Sequence, residues 1–228
     1  MKNKVSTAKE AVSVIHDGAV IMVGGSMTLG TPENLIDALV AQNTKNLTII
    51  CNDGGLPGRG VAKLIANGQV KHLITTHVGL NPEVTRRVNS DNPLEKMTCE
   101  LVPQGTFAER LRSGGAGIGG ILTRTGVGTL VADGKDIINV DGVEYLLELP
   151  LHADFALVRG ARSDTFGNTV YLGTAQNFNP LMASAADHVI MGTSEIVSVG
   201  NIDPNHVITP GIFVDAVVGG EHDWKIEN

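Results

Sequence analysis

AVIMVGGSMTLGTPENLIDALV, residues 19–40, decides the fold. Residues 19–23 are apolar throughout, the pattern of a strand buried on both faces in a parallel sheet. The glycine-rich turn Gly24, Gly25, Ser26, Met27, Thr28, Leu29, Gly30 follows at once, and Leu35, Ile36, Leu39 and Val40 then fall at helical spacing. Thr31 stands where an N-cap is expected, with Pro32 at the first helical position. Strand, glycine turn and helix in direct succession leave amides near Thr31 to Asn34 unpaired, and the helix dipole favours an anion there by roughly 0.3–1 kcal/mol. The competing reading is a tight strand–helix turn that holds nothing.

Two nucleotide fingerprints are excluded at this turn. Thr31-Pro32 stands where a P-loop needs lysine and a magnesium-binding hydroxyl, which disfavours triphosphate hydrolysis. Gly24, Gly25 and Gly30 do not have the spacing of a dinucleotide site, which disfavours a nicotinamide oxidoreductase.

The pattern repeats outward. Upstream, Thr7 to Glu10 has capping-box spacing and Ala11, Val14 and Ile15 continue a helix expected to stop at Asp17-Gly18. Downstream, LTII (47–50), a loop over 52–60 and VAKLIANG (61–68) read as strand, loop and helix; VKHLITTHV (70–78) is a strand and Pro82 to Val88 a short helix. CELV (99–102) leads through PQG into TFAERLRSGG (106–115), strand to helix again. Such alternation predicts an α/β fold, an open and mostly parallel sheet flanked by helices, whose ligand crevice lies beyond the carboxyl ends of the strands. Near 129–149 apolar and polar residues alternate around Asp141-Gly142, which predicts an antiparallel hairpin insertion. ADFALVRG (153–160) and NTVYLG (168–173) read as strands, and 177–191 as loop, helix and strand. With no linker and no fixed-period repeat, residues 1–228 read as a single domain.

Composition narrows the function. A chain of 228 residues buries about 70% of its unfolded surface. Its 28 glycines exceed the roughly 16 expected at about 7% usage, and they cluster in loops rather than spreading evenly. A net charge of −7 and a pI of about 5.4 leave no basic stripe for nucleic acid. Cys51 and Cys99 read as free thiols of a reducing compartment. The N-terminus lacks an apolar signal core and no run approaches the ~18 apolar residues of a membrane span, so a cytoplasmic protein is expected.

Candidate chemistry rests on amides. Asn52 follows one strand and Gln104 another, both at the expected carboxyl edge, where a neutral amide orients a carboxylate or stabilises an oxyanion; the plain alternative is that each caps a turn. RSGGAGIGG (112–120) offers Gly114, Gly115 and Gly117 as an anion nest beside Arg110 and Arg112, or else a hinge. His16, His72, His77, His152 and His188 occur singly, and no metal-ligand spacing or G-x-S-x-G elbow appears, so no protein-bound metal is expected. Cys51 reads as a small buried residue.

Taken together, DGAVIMVGGSMTLGTP (17–32), CNDGG (51–55), PQGTFAERLRSGGAGIGG (103–120), TRTGVGT (123–129), ADFALVRG (153–160) and AQNFNP (175–180) resemble the A (alpha) subunits of the 3-oxoacid CoA-transferase family, which include acetate/butyrate–acetoacetate transferases. One departure is Ser26, where the family usually has phenylalanine after Gly24-Gly25. The resemblance implies the CoA-transferase/isomerase-like superfold, a coenzyme A thioester as substrate rather than a permanent cofactor, and a ping-pong reaction through a glutamyl-CoA intermediate. The nucleophilic glutamate of the family lies in the B (beta) subunit within Ser-Glu-Asn-Gly, a string absent here; Glu195 lacks the following Asn-Gly, and Glu109 sits among arginines. The family likeness therefore implies half of an enzyme, working with that beta subunit as a heterotetramer of two alpha and two beta chains. Residues 24–30 would contact CoA, and Asn52 and Gln104 would line the acid pocket. The alternative from another class is a non-catalytic sugar-phosphate or effector-binding module of the related isomerase superfold.

Overall fold

A computed structural model describes residues 2–221; Met1 and 222–228, the ends of the span expected as one domain, lie outside the described residues. The central strand is β1 (Val20–Val23), paired in parallel with β2 (Leu47–Cys51) on one side and β8 (Ala153–Asp164) on the other. Two-sided pairing accounts for its unbroken apolar character. Ile21 and Val23 face one core with Leu35, Ile36 and Leu39, whereas Met22 faces the other with Phe107, Leu111 and Met182.

The sheet grows outward from that strand. Beyond β2 lie β3 (Val70–Thr75) and β4 (Thr98–Leu101); beyond β8 lie β10 (Ala186–Val197) and β11 (Ala216–Val218), all parallel neighbours. The short β9 (Thr169–Val170) pairs antiparallel with β8. Helices α1 (Ala8–Val12), α2 (Glu33–Gln42), α3 (Val61–Ala66) and α4 (Pro82–Val88) contribute to the first core. Helices α5 (Gln104–Gly115) and α6 (Asn179–Ser184) cover the second face. Among the described residues, no helix is long and apolar enough to cross a membrane.

Several local expectations change. The capping box at Thr7 and Glu10 forms, but α1 ends at Val12 instead of running to Asp17. Ser13 follows, its hydroxyl donating to the Glu10 carbonyl at 2.7 Å, and Val14 is left exposed. Thr31 does not cap α2: Pro32 holds the N-cap position with no side-chain bond. Thr31 is instead buried, packed where a Cβ on Gly25 would stand. The stretch 168–173 pairs only through two residues, because Leu172 turns out to solvent and a 3-10 turn begins at Gly173.

The insertion is a separate antiparallel sheet, broader than expected. β5 (Ile121–Thr123) joins β6 (Ile137–Val140) and β7 (Val143–Glu148) in the order β5-β7-β6, so it spans 121–148. Asp141 and Gly142 have φ of 52° and 81°, the two left-handed residues that a tight hairpin requires.

Candidate functional site

The loops after β1, β2, β3 and β4 meet at the carboxyl edge of the sheet. In the first, Ser26 and Leu29 exchange both backbone hydrogen bonds at 3.0 Å, closing a turn over Met27 and Thr28. These two residues have φ of 49° and 69°, a left-handed conformation that costs non-glycine residues roughly 1–3 kcal/mol each. Surrounding side chains offset that cost. The Asp53 carboxylate accepts from the Met27 amide at 2.8 Å, Asn177 accepts from the Gly25 amide at 3.2 Å, and the Asn177 amide donates to the Leu29 carbonyl at 3.0 Å. Asn179, fully buried, donates to the Gly30 carbonyl at 3.1 Å. The tip so held is apolar and open: Met27 is 54% exposed and Leu29 47%.

Asn52 and Gln104, expected separately at this edge, are joined. The Gln104 Nε2 donates to Asn52 Oδ1 at 2.8 Å. Asn52 is itself buried, and its Nδ2 donates to Ser26 Oγ at 3.1 Å and to Asp53 Oδ2 at 3.0 Å. A carboxylate only accepts, so Asp53 fixes which end of the Asn52 amide faces it. Thr76 completes the knot, its amide and hydroxyl both donating to the main-chain carbonyl of Asn52 at 3.0 and 2.7 Å. Every side-chain hydrogen of Asn52 is thus engaged within the protein. Gln104, by contrast, is exposed at the start of α5, where Pro103 supplies no side-chain cap and Gln104 keeps a second Nε2 hydrogen.

The start of α2 is met from within the chain. Glu221, 1% exposed, accepts from the Asn34 amide at 3.1 Å, so this helix start is filled by a carboxylate from the far end of the sequence. Burial pushes its carboxyl up to about 7; Glu33 raises it as well, and the charge of Arg159 opposes them. The folded state then takes up a proton at a pH where the unfolded chain has already lost its own. Stability is accordingly expected to fall as pH rises from about 4.5 to about 7 and to stay lower above that. Glu221→Gln keeps an acceptor for Asn34 and removes the titration. Thermal unfolding of the purified variant should show a smaller drop in Tm between about pH 5 and about pH 8 than the wild type; identical drops would rule Glu221 out as the source.

The glycines at 114–117 serve a helix end, not a nest. Gly114 and Gly115 are the last residues of α5, where a Cβ would strike the Leu151 carbonyl or the Ser184 hydroxyl. Gly117 takes φ of 66°, and the amides of Ile118 and Gly117 return to the carbonyls of Ser113 and Gly114, a Schellman stop. Arg110 bonds Glu100 at 2.9 Å and Arg112 bonds Glu109 at 2.7 Å, so both guanidinium groups are paired with carboxylates. Glu195 lies exposed on β10, 2.7 Å from Arg162. Burial, and then the Asp53 charge, push the Cys51 thiol well up, and Cys51 donates to the Asp53 carbonyl. His16 and His188 lie against Phe155, with ring centroids 6.0 and 5.6 Å from it. Among the described residues, no group of three or more His, Cys, Asp or Glu side chains could hold a metal ion.

A cleft of ≈180 Å³ runs along the other flank of the loop, between Thr28, Leu29 and Gly30 on one side and Arg159 and Tyr171 on the other. Sequence reasoning passed over Asp53, Thr76, Asn177, Asn179 and Glu221. Asp53 carried a signal, since an aspartate before Gly54-Gly55 favours a turn in which it accepts from an amide two residues on, and it does so from Gly55 at 3.0 Å. Asn179 and Glu221 act across 149 and 187 residues of chain, where no local pattern reaches.

The sequence matches the family model described as Coenzyme A transferase over residues 5–220. It is 46% identical over 218 residues to the acetate CoA-transferase subunit alpha of Escherichia coli (strain K12), covering 96% of this chain and 97% of that protein. To the acetoacetyl-CoA:acetate/butyrate CoA transferase alpha subunit of Clostridium acetobutylicum it is 48% identical over 218 residues, covering 96% and 98%. Among solved structures it is similar to the acyl-CoA transferase YdiF of Escherichia coli O157:H7, with a TM-score of 0.86 and 25% identity. That match covers 96% of this chain but 48% of the YdiF chain, so this chain spans about half of that longer one.

Proposed function

The chain belongs to the coenzyme A transferase family, and from that membership we propose that it is the alpha subunit of a cytoplasmic enzyme that moves CoA between an acyl-CoA and a short-chain carboxylic acid. The acyl donors are acetoacetyl-CoA or a short-chain acyl-CoA, and the acceptors acetate, butyrate or acetoacetate. The partner is a beta subunit, two of each forming the complex, and residues 1–228 act as one domain. Residues 24–30 form a wall for CoA, and Gln104 meets the reacting carbonyl or carboxylate with Asn52 behind it.

One observation supports this reading: among the described residues, the carboxylates bonded beside the glycine loop and α2, Asp53 and Glu221, are buried and already engaged, both accepting from backbone amides. An exposed apolar tip and an exposed amide donor stand at the same edge of the sheet. The reacting carboxylate then comes from the partner. Its glutamate attacks the thioester carbonyl and expels CoA thiolate, leaving an acyl anhydride; the thiolate attacks the glutamyl carbonyl and releases the first acid. A second acid takes up CoA by the reverse steps. The covalent route activates a carboxylate that alone cannot accept CoA.

The experiment is co-expression with the beta subunit, incubation with acetoacetyl-CoA, borohydride trapping and peptide mapping. Transfer to acetate or butyrate should require both chains, with the modified glutamate on the partner and no label on this chain alone. A labelled glutamate on this chain would overturn the division of labour. Tight binding of a sugar phosphate by the isolated chain, without transfer in the complex, would favour the effector-binding alternative.

A further inference from the structure

The hydrogen-bond pattern around Asn52 bears on Ser26, in the turn after β1. Ser26 Oγ accepts from Asn52 Nδ2 at 3.1 Å, and Ser26 is half-buried at the base of the exposed turn. A hydroxyl that accepts one bond still has its own hydrogen to give, and among the described residues no acceptor takes the Ser26 hydrogen. Gln104 is in the mirror situation, with one Nε2 hydrogen on Asn52 Oδ1 and one remaining. The two therefore sit at opposite ends of a single buried carboxamide, which Asp53 orients directly while Thr76 holds the main chain of Asn52. Asn52 has no side-chain hydrogen left for a ligand.

Resting on the transferase reading, we propose that the Ser26 hydroxyl is a second substrate-contacting donor, paired with Gln104 through Asn52, and that Asn52 is a positioning residue that touches no substrate. The oxygen recognised is that of the reacting thioester or carboxylate, which two donors held from one rigid amide meet without reorganising as charge develops on it. A phenylalanine at 26 supplies neither the acceptor for Asn52 nor the donor for substrate. The serine thus makes this wall polar where an aromatic would make it apolar.

The test uses the assembled alpha–beta complex. Ser26→Ala should lower kcat about 10-fold with KM for the acid changed less than about twofold, the signature of a contact made in the transition state. Ser26→Thr, which retains the hydroxyl, should restore most of the rate. Co-purification with the partner chain and an unaltered Tm establish that the variants assemble. A double-mutant cycle separates direct contact from an effect transmitted through Asn52. If Ser26 touches substrate, Ser26→Ala still costs about twofold or more in the Gln104→Ala background, less than in the wild type because the two donors share one oxygen and one network. If the factor vanishes there, or if kcat of Ser26→Ala matches the wild type, the proposal is overturned. A wild-type complex that transfers no CoA would instead remove the reading on which it rests, and the two failures are distinct.

Discussion

Gly24→Ala is expected to unseat the whole glycine loop. The loss should be about 3 kcal/mol or more of stability, read as a fall of roughly 10 °C in Tm and poor recovery of the complex. A Cβ at this position would stand 1.8 Å from Asn179 Oδ1 and 2.6 Å from its Cγ, so the asparagine has to leave. Asn179 cannot leave without consequence. It is fully buried, accepts from the Arg159 amide at 2.9 Å, and donates to the carbonyls of Gly30 and Ala175 at 3.1 and 3.0 Å. Displacing it strands several buried polar groups, each at about 1–3 kcal/mol. The strained turn at Met27 and Thr28 loses one of its anchors at the same time. Gly79→Ala is the control: nothing lies within 4 Å of its Cβ position and its φ is ordinary, so it should stay within about 0.5 kcal/mol of the wild type. A Gly24→Ala variant that melts with the wild type would show that Asn179 has a second seat.

What the sequence made legible was the framework, because its signals are local. An all-apolar run from Ala19 to Val23, a following glycine turn and helical spacing from Leu35 to Val40 place a central strand and its helix without any distant information. The Asp141-Gly142 hairpin is equally local. The errors came where a distant or competing partner decided the outcome. Thr31 has the chemistry of a cap, but Glu221 accepts from the Asn34 amide at the start of α2 and Thr31 fills the space over Gly25. Gly114 and Gly115 have the composition of an anion nest, yet they let α5 pack closely against Leu151 and Ser184. At the site, the positions of Asn52 and Gln104 at strand ends were readable, since β2 and β4 were. Their bond to each other was not: it joins residues 52 apart and depends on Asp53 orienting the amide between them. Their places at two strand ends, and the family resemblance, single out these two residues as a pair; the geometry divides their labour, one buried and saturated, the other open.

That division leads to the largest expected effect on catalysis. Gln104→Ala should lower kcat by about 10²-fold or more in the assembled complex, as removal of a positioned oxyanion donor does. Gln104 is exposed and makes a single side-chain hydrogen bond among the described residues, so its loss should alter stability by no more than about 1 kcal/mol and leave assembly intact. Gln104→Glu should be at least as damaging. A carboxylate at 104 faces Asn52 Oδ1, acceptor against acceptor, and turning Asn52 to meet it would set that oxygen against Asp53 Oδ2. It would also bring a negative charge toward the carboxylate substrate. Gln104→Asn retains the amide but draws it back by one methylene; a misplacement of about 1 Å in a positioned group is worth up to about 10²-fold. The order expected from steady-state kinetics at saturating substrate is therefore wild type far above Asn, with Ala and Glu lowest. A Gln104→Ala complex that turns over at the wild-type rate would reduce this residue to the first turn of α5, and the reacting oxygen would then need a donor from the partner chain.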